Sequence, residues 1–568
     1  MKIARWLLLG VLGTTGAMAQ PASNITVRLY STKDLKAVTI VPVAAVMRAC
    51  SSCPLKLMPA QVKVGARGAQ ITVNGNSAIE LEVDGQIRMT SDDGTAETGA
   101  GQWMITAKAD GLHVLLTMPS ERYVMAVLMS EANANEPIES LKALAVTARS
   151  FALTNLHRHG AEGLCDSTHC QALRIGNVPQ AIENAVLATA GETLWWRGGR
   201  VPGYFTENCG GMTEDASAIW GGTQKQWLRA HQDGFCAHTP SQWHAELSGT
   251  ELTDALRAEG WHLAGPVQII YVTQRDSSGR AKNILLIARE EQLAITASTL
   301  RFAVNRSQGW NRLRSDWYEV SYSGGRVIFD GKGYGHGVGL CQAGATEMAK
   351  EGKNYREILA FYFPTTSVRV QSGDEGWAQQ AGKGWMLRGV FGAGSDQASL
   401  VAAGDRALVK AHALFGADVH PVVTVYPTTE LFRQATNEPG WMLAETQTHG
   451  RAVGVALQPL NVVRLHGGAE TLLLHEFLHS MVESEAADTT PLWLREGLVE
   501  ALAGEHGATN GMSAAEIDAA LQRSRSQQEN ERAHDAACAL VRQMIAKYGL
   551  QTVRSWLRSG VPHGLVTG

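Results

Sequence analysis

Between residues 118 and 119 the hydrophobic period of the chain changes from that of β-strands to that of α-helices. Residues 24–118 alternate short apolar runs with Gly, Asn and Asp, a pattern typical of strands joined by tight turns. Beyond it, apolar residues such as Tyr123, Val127 and Leu128 recur at helical spacing. Pro137 is well placed to open a second, Ala-rich helix. This order predicts a strand-rich layer followed by two helices.

Two further changes in composition divide the rest of the chain. Residues 190–370 return to strand-and-turn character, and residues 371–384 are rich in Gly, Gln, Ser and Asp, which predicts a linker. Since 568 residues exceed what one hydrophobic core usually organises, several domains are expected. We predict an α+β protein. Its first domain is mixed α/β, with a strand-rich part at 20–118 and its main part at 119–370, and a smaller α+β domain occupies 385–568.

The N-terminus has the layout of a secretory signal peptide. A charged start is followed by a short apolar run from Trp6 to Leu12 and by the cleavage triplet Ala17-Met18-Ala19. A signal peptide at 1–19 is therefore predicted, with a buried first helix as the alternative. Export to the periplasm, the cell wall or the medium follows, and no later segment predicts a membrane span.

The charge balance excludes some classes of partner. Charged residues make up 18% of the chain, the net charge is −4, and Lys and Arg are spread along the sequence. No basic patch predicts binding to nucleic acid or to a membrane surface. Weakly charged polar substrates such as glycans are compatible with this balance, although it does not select them.

Four separated motifs in the first 345 residues together resemble the SpoIID/LytB family. They are PSERYVMAVLMSE at 119–131, LKALAVTARSFAL at 141–153, YFTENCGGMT at 204–213 and GYGHGVGLCQAGA at 333–345. Any one of them would be a weak signal, but the four agree in order over roughly 250 residues. The resemblance implies a peptidoglycan-binding domain with lytic transglycosylase activity.

Glu131 carries over as the catalytic glutamate that this resemblance implies. Glycosidic cleavage needs an acid to protonate the leaving oxygen. A lytic transglycosylase needs no second carboxylate, because the sugar's own 6-hydroxyl attacks and closes a 1,6-anhydro ring. Glu131 ends an apolar helical stretch, where burial would raise its pKa. The alternative is an ordinary solvated carboxylate at a helix end.

Other residues of the same motifs are candidate glycan contacts. Arg149 either holds substrate or orients Glu131, with a surface ion pair as the alternative. The glycine-rich segments are predicted to line a glycan cleft, and they contain no P-loop Lys and Ser pair. A buried structural histidine is the alternative for one of the contacts. These contacts are Tyr204, Thr213, His336 and Gln342.

Cysteines replace the serines that many members of the family carry in the two glycine-rich motifs. The paired replacement at Cys209 and Cys341, together with export, predicts a disulfide between them. Cys50 and Cys53 either pair with each other, stay free, or form a bridge to Cys236.

Two thiols and two imidazoles lie within twelve residues after the second predicted helix. His159, Cys165, His169 and Cys170 form a donor set that suits tetrahedral zinc. The resemblance adds support, since family members with a similar Cys-Asp-x-x-His-Cys segment bind zinc there. Four protein ligands would make the site structural. A disulfide from Cys165 or Cys170 to another cysteine is the alternative.

The second domain contains the sequence HEFLH at 475–479 in an apolar helical pattern. His475 and His479 lie one turn apart and can bind one zinc ion, with Glu476 as general base. The following segment WLREGLVE resembles that of gluzincin metallopeptidases and implies Glu496 as third ligand, with Glu500 as the fallback. A strand-like stretch at 455–463 precedes the HEFLH motif. An inherited but inactive zinc site is the alternative.

Three hypotheses for the function follow. The first is an exported enzyme that joins a peptidoglycan lytic transglycosylase to a zinc-metallopeptidase-like domain. The second is a non-catalytic glycan-binding domain, since relatives of the first domain are described as enhancers of cell-wall amidases. The third is a peptidase anchored to the wall by its first domain. Peptidoglycan glycan strands are the predicted partner in all three, with amidases as a further candidate.

Overall fold

A computed structural model describes residues 24–309, 311–392, 397–436, 438–449, 452–464, 468–505, 507–508, 511–523, 526–562 and 565. The signal peptide predicted at 1–19 lies outside these residues. The described part contains both helices and several sheets, as expected for the α+β class. Among the described helices, none combines the length and the apolar character needed to cross a membrane.

The strand-rich segment predicted at the start forms one large sheet. Its strands run in the order β10-β1-β9-β8-β7-β2-β4-β5-β6, with β3 paired to β2 at one side. Alternate residues point into the core, as along β7. The strands are β1 (Asn24–Leu29), β2 (Ala37–Arg48), β3 (Lys56–Leu57), β4 (Val62–Arg67), β5 (Gln70–Val73), β6 (Asn76–Ala78), β7 (Leu81–Ser91), β8 (Ala96–Lys108), β9 (Gly111–Pro119) and β10 (Leu164–Cys165).

Two helices pack against this sheet and form the centre of the main core. α1 (Ser120–Glu131) and α2 (Ile138–Thr154) begin directly after Pro119 and Pro137, where the sequence pattern predicts helix starts. Both are buried along most of their length. The main core also contains residues of later elements. These are α3 (Gln180–Ala188), β11 (Thr193–Trp196), β13 (Phe205–Thr206) and α4 (Ala216–Trp220), and β12 (Gly199–Arg200) pairs with β11.

Residues 242–332 form an inserted unit with a core of its own. It consists of two three-stranded sheets and two helices, a subdivision that the sequence analysis did not predict. The elements are β14 (Gln242–Ser248), α5 (Gly249–Ala258), β15 (Ile269–Arg275), β16 (Ala281–Ala288), β17 (Glu291–Thr296), α6 (Ala297–Gln308), β18 (Tyr318–Ser323) and β19 (Arg326–Lys332). The chain then returns to the main core through β20 (Leu340–Cys341), α7 (Gln342–Lys350), α8 (Tyr355–Tyr362) and β21 (Ser367–Arg369).

The second domain is a five-stranded sheet in the order β22-β23-β24-β26-β25, covered by helices, with its own core. Its strands are β22 (Asp374–Ala381), β23 (Met386–Gly392), β24 (Val422–Val425), β25 (Ala444–His449) and β26 (Ala452–Leu457). Its helices are α9 (Gln397–Leu414), α10 (Thr429–Thr436), α11 (Leu460–Arg464), α12 (Ala469–Glu485), α13 (Leu492–Ala503), α14 (Ala514–Arg523), α15 (Gln527–Tyr548) and α16 (Leu550–Ser559).

Two sequence predictions for this region are corrected. Residues 374–381 of the predicted linker 371–384 form β22, because pairing with β23 satisfies their backbone despite a turn-like composition. The strand-like stretch predicted at 455–463 ends as a strand at Leu457 and continues as helix α11. The edge strand beside the HEFLH helix is β25, which β26 separates from the rest of the sheet.

The two domains are joined by direct contacts as well as by the chain. The Trp377 backbone N–H donates to Glu192 Oε1 at 2.8 Å, and its indole N–H donates to the Ala190 carbonyl at 2.9 Å. Arg388 of β23 donates to the Ala188 carbonyl. A small apolar cluster that includes Ala190, Trp377 and Phe432 spans this contact.

Candidate functional site

Glu131 is the last residue of α1 and faces a cleft of about 450 Å³. The backbone N–H of Ala172 donates to its Oε1 at 3.2 Å, which fixes the carboxylate from one side. The side-chain amide of Gln342 donates to the backbone carbonyl of Glu131 at 2.6 Å. Gln342 therefore lies in the cleft wall, although the structure shows it holding the end of α1.

Burial raises the pKa of Glu131 to about 7. The bond from Ala172 acts against this shift, and the nearby Glu207 carboxylate adds to it. A helix C-terminus also disfavours negative charge. A carboxyl group that stays protonated up to neutral pH is suited to act as a general acid.

Further carboxylates line the same cleft, and the sequence analysis missed them. Glu136 and Glu207 both face it, and burial raises the pKa of each. The positive charge of Arg314 offsets part of this rise in the pKa of Glu207. The sequence could have indicated Glu207, because it is the one carboxylate in the segment YFTENCGGMT, which was predicted to line the cleft.

The two glycine-rich motifs meet as neighbouring strands beside this cleft. β13 and β20 pair in parallel, with Thr206 opposite Cys341. At Gly339, whose φ is +77°, a Cβ would lie 2.2 Å from the Tyr204 carbonyl oxygen. Only glycine therefore allows the second motif to approach the first so closely.

Tyr204 and His336 lie together in an aromatic group rather than in the wall of the Glu131 cleft. The Tyr204 ring is 4.6 Å from that of Trp220, which is 5.1 Å from the His336 ring. His336 Nδ1 accepts from the Val338 backbone N–H at 2.9 Å, and burial lowers the pKa of His336 to about 3, so the imidazole is neutral. Trp220 is 50% exposed and presents an aromatic face to solvent.

The structure corrects the predicted roles of Arg149 and Thr213. Arg149 is fully buried, and its Nε donates to Glu121 Oε1 at 3.0 Å and its Nη1 to the Glu192 carbonyl at 3.1 Å. Thr213 is also buried, and its hydroxyl accepts from the His231 backbone N–H at 2.9 Å. Neither side chain is accessible to a glycan, and both hold the core together.

Replacing Arg149 by Met should destabilise the protein by about 3–5 kcal/mol, because it leaves the Glu121 carboxylate buried without its cation. Thermal unfolding followed by circular dichroism measures this effect. The double variant with Glu121→Leu is the control, since removing both charges should recover part of the loss. A single variant as stable as the wild type would contradict the assignment.

The cysteines also differ from the expected pattern. Cys50 and Cys53 form a disulfide, which was one of three alternatives. Cys209 and Cys341 are free thiols rather than the predicted disulfide. The thiol of Cys236 and the carboxylate of Asp233 lie beside both sulfurs, so the two cysteines belong to a cluster of four donors rather than to an isolated pair.

The four predicted zinc ligands of the first domain converge. One donor atom from each of His159, Cys165, His169 and Cys170 lies within 4.8 Å of all the others. The two sulfurs are 2.8 Å apart, and His159 Nε2 is 3.3 Å from Cys170 Sγ. The Cys165 backbone N–H points at Cys170 Sγ from 3.2 Å, as is usual around a metal-bound thiolate. This donor set fits a structural zinc ion.

The segment after these ligands leads directly to Glu131. Cys170 is followed by Gln171, whose side chain accepts from the Tyr123 hydroxyl at 3.1 Å, and then by Ala172, whose N–H bonds Glu131. Tyr123 belongs to the same helix as Glu131. The position of this backbone donor therefore depends on how the Cys170 loop is held.

In the second domain the three predicted metal ligands also converge. His475 Nε2 and His479 Nε2 are 3.1 Å apart on α12, and Glu496 Oε2 of α13 is 3.3 Å from His479 Nε2. Glu500, the fallback ligand, instead pairs with His534 at 3.0 Å. Glu496 thus lies beside His479, whereas His475, Glu500 and Glu505 each offer a donor within 4.8 Å of the other two, so both glutamates named from the sequence border the histidine pair. Two histidines and a carboxylate are the donor set of a catalytic-type zinc site.

Additional groups around these ligands were not predicted from the sequence. His534 of α15 lies 3.7 Å from Glu496. The Thr446 hydroxyl on the edge strand β25 donates to Glu476 Oε2 at 2.6 Å. Burial raises the pKa of Glu445, also on β25, to about 7, helped by Glu438 and Glu476. The edge strand therefore borders the predicted general base.

Comparison with known proteins gives a consistent picture for the first domain. Residues 108–196 match the SpoIID family model, described as "Stage II sporulation protein". The chain is 29% identical to an uncharacterized protein of Brachyspira hyodysenteriae over 46% of this chain and 70% of that protein. It is 25% identical to the stage II sporulation protein D of Bacillus amyloliquefaciens over 45% of this chain and 76% of that protein. It is 24% identical to the amidase enhancer of Bacillus subtilis over 43% of this chain, but only 39% of that protein. These matches support a SpoIID family domain in this chain.

Proposed function

We propose that this protein is an exported peptidoglycan-remodelling enzyme whose first domain is a lytic transglycosylase with Glu131 as acid and base. The single observation that carries the proposal is the setting of Glu131. Its carboxyl group faces a cleft, is oriented by a backbone N–H, and has a pKa raised to about 7 by burial. The SpoIID family domain supports peptidoglycan as the substrate.

The proposed reaction requires one carboxyl group in two protonation states. Protonated Glu131 gives its proton to the glycosidic oxygen as the bond from that oxygen to the muramic acid C1 breaks. The resulting carboxylate then removes the proton from the 6-hydroxyl of the same sugar, whose oxygen bonds to C1. The products are two shorter strands, one of which ends in a 1,6-anhydro sugar. No water is consumed, and Glu131 is protonated again.

The test is mass spectrometry of purified peptidoglycan, with and without its stem peptides, after incubation with the mature protein. New 1,6-anhydro-muramic ends are expected on at least one substrate. No anhydro product from either substrate, with binding retained, would contradict the transglycosylase. It would favour the second candidate, a glycan-binding domain that assists amidases or anchors the zinc domain, to which the similarity to the amidase enhancer points.

The rate of glycan cleavage should fall as the pH rises through about 7. The pKa of Glu131 lies above that of an ordinary Glu, so the acid form persists up to that pH and is lost beyond it. Each further pH unit should lower kcat/KM about tenfold. The measurement is kcat/KM between pH 3 and pH 9. A fall centred near pH 4.5, the ordinary value for Glu, would contradict the role of burial.

We further propose zinc at both predicted sites, structural at His159, Cys165, His169 and Cys170, and catalytic in type at His475, His479 and Glu496. The donor types at both sites fit this metal. The four donors of the first site lie within 4.8 Å of one another, and at the second site His479 Nε2 lies 3.1 Å from His475 Nε2 and 3.3 Å from Glu496 Oε2. Zinc bound in the second domain would supply Lewis-acid activation for peptide hydrolysis. There Glu476 would take the proton from the attacking water, and the hydroxyl of Thr446 holds its carboxylate in place.

Two variants separate metal binding from chemistry in the second domain. His475→Ala should lose one zinc equivalent per chain, whereas Glu476→Gln should keep it and lose about 10²–10⁴-fold of any peptidase activity. Zinc content by plasma mass spectrometry and cleavage of peptide libraries are the measurements. Full activity in Glu476→Gln, or full zinc content in His475→Ala, would contradict the assignment.

A further inference from the structure

A third group of metal-type donors lies behind the Glu131 cleft. Cys209, Asp233, Cys236 and Cys341 each place one sulfur or carboxylate oxygen within 4.8 Å of the other three, and all four side chains are fully buried. They come from separate parts of the chain. Cys209 follows β13 in the first glycine-rich motif, Cys341 ends β20 in the second, and Asp233 and Cys236 lie on the loop between α4 and β14.

We propose that Cys209, Asp233, Cys236 and Cys341 bind a zinc ion that ties the two glycine-rich motifs to this loop. Three thiolates and one carboxylate are a donor set that tetrahedral zinc accepts. With zinc–sulfur bonds of about 2.3 Å, ligand atoms of such a site lie about 3.8 Å apart. The observed spacing needs only small side-chain movements to reach this geometry. The proposal does not depend on the glycan chemistry.

The surroundings of the four donors resemble those of a bound thiolate site. The backbone N–H of Cys209 points at Cys341 Sγ from 3.2 Å, and that of Gly344 from 3.5 Å. Asp233 Oδ1 accepts from the Cys236 backbone N–H at 2.9 Å, and its Oδ2 accepts from the Tyr362 hydroxyl at 2.8 Å. Such outer hydrogen bonds orient ligands and stabilise their negative charge.

The buried carboxylate of Asp233 is left available to a cation, because no cationic side chain in the part of the chain that the structure describes occupies it. Asp233 is 0% exposed, and among the ion pairs of the described residues it has no cationic side chain as a partner. A buried carboxylate needs a counter-charge or a dense set of donors. Arg280 approaches the cluster only through the Cys209 carbonyl, to which it donates at 2.7 Å, while its own ion pair is with Glu214. Asp233 instead accepts hydrogen bonds from the Cys236 backbone N–H, the Tyr362 hydroxyl and the Cys209 thiol, which leave its carboxylate oriented towards the three sulfurs.

A disulfide is the competing explanation for three adjacent thiols in an exported protein. A pair formed by any two of them would leave the third thiol and the Asp233 carboxylate buried without a function. Zinc uses all four donors at once, and it removes the protons of the three thiols on binding. Oxidation of a pair would prevent this. The two states therefore exclude each other and are distinguishable by experiment.

The experiment uses the full mature chain and four variants, with zinc content measured by plasma mass spectrometry. Cys236→Ser should lose one zinc equivalent per chain, while Cys538→Ser, the same change at a buried free cysteine outside the clusters, should lose none. Asp233→Asn should lower zinc retention during dialysis. Asp233→Cys should keep the zinc, because it exchanges one ligand for another while breaking the hydrogen bonds of the carboxylate.

Cobalt loading of the wild type and of Asp233→Cys gives a second readout that does not depend on the folding of Cys236→Ser. The thiolate-to-cobalt absorption should rise by about a third when a fourth thiolate joins the first three at this site, after the contribution of the other sites is subtracted. Peptide mapping that finds Cys209, Cys236 or Cys341 in a disulfide would overturn the proposal. Equal zinc content in Cys236→Ser and Cys538→Ser would overturn it as well.

Discussion

Replacing Glu131 by Gln should lower the release of 1,6-anhydro ends by about 10²–10⁴-fold, the range over which a positioned general acid contributes to a rate. The amide is nearly isosteric and still accepts the hydrogen bond from Ala172, so the fold and the cleft should persist. It has no proton to donate at neutral pH and cannot act as the base. Glycan binding should therefore remain while cleavage is lost, and mass spectrometry with a pull-down on purified peptidoglycan measures both.

Glu136→Gln is the matched control for this variant. Its carboxylate lines the same cleft, and its Oε1 accepts from the Asn133 backbone N–H at 3.1 Å. The substitution changes the same charge in the same cavity and should leave most of the activity. If the Glu136 and Glu131 variants lost activity to the same extent, the cleft's total charge rather than one acid would be responsible. If Glu131→Gln stayed active, the mechanism would be wrong.

The second large effect is expected at the structural zinc site proposed for His159, Cys165, His169 and Cys170. Replacing both Cys165 and Cys170 by Ser should abolish zinc binding there. Bound zinc at 1,000 times its Kd stabilises a folded state by about 4 kcal/mol, so the melting temperature should fall clearly. Cleavage of glycan should fall with it, by about 10²-fold, since an ångström of displacement at Ala172 suffices for such a loss.

Calorimetry and the product assay, run with and without added zinc, measure these two effects. Cys538→Ser is again the control, because it removes a buried thiol without removing a ligand. Unchanged zinc content in the double variant would show that these cysteines are not ligands. Lost zinc with unchanged activity would show that Ala172 keeps its position without the metal.

Features that depend on neighbours in the sequence were predicted correctly. Helix α1 begins where the hydrophobic period changes and ends at Glu131, and α2 begins after Pro137, because period and capping are local properties. His159, Cys165, His169 and Cys170 converge for the same reason, since twelve residues of chain keep them close. His475 and His479 follow from one turn of helix.

Features that depend on contacts between distant segments were missed. Nothing in the sequence near Arg149 indicates that its partner is Glu121, 28 residues away, or that both are buried. Cys236 and Asp233 join Cys209 and Cys341 only because a loop folds back over two strands whose paired residues, such as Thr206 and Cys341, lie 135 positions apart in the chain. β22 was taken for a linker because strand pairing overrides a turn-like composition.

The contact at Trp377 bears on how this protein can be cut into parts. The Glu192 carboxylate accepts a hydrogen bond from the Trp377 N–H, and the Glu192 carbonyl accepts one from Arg149. Glu192 therefore contacts both the buried Arg149–Glu121 ion pair and the first strand of the second domain. A boundary placed between β21 and β22 would remove Trp377 from the Glu192 carboxylate and uncover Ala190. Expression of either half alone is therefore expected to need a redesigned surface, and the two halves are best cloned, purified and exchanged between proteins as a single cassette.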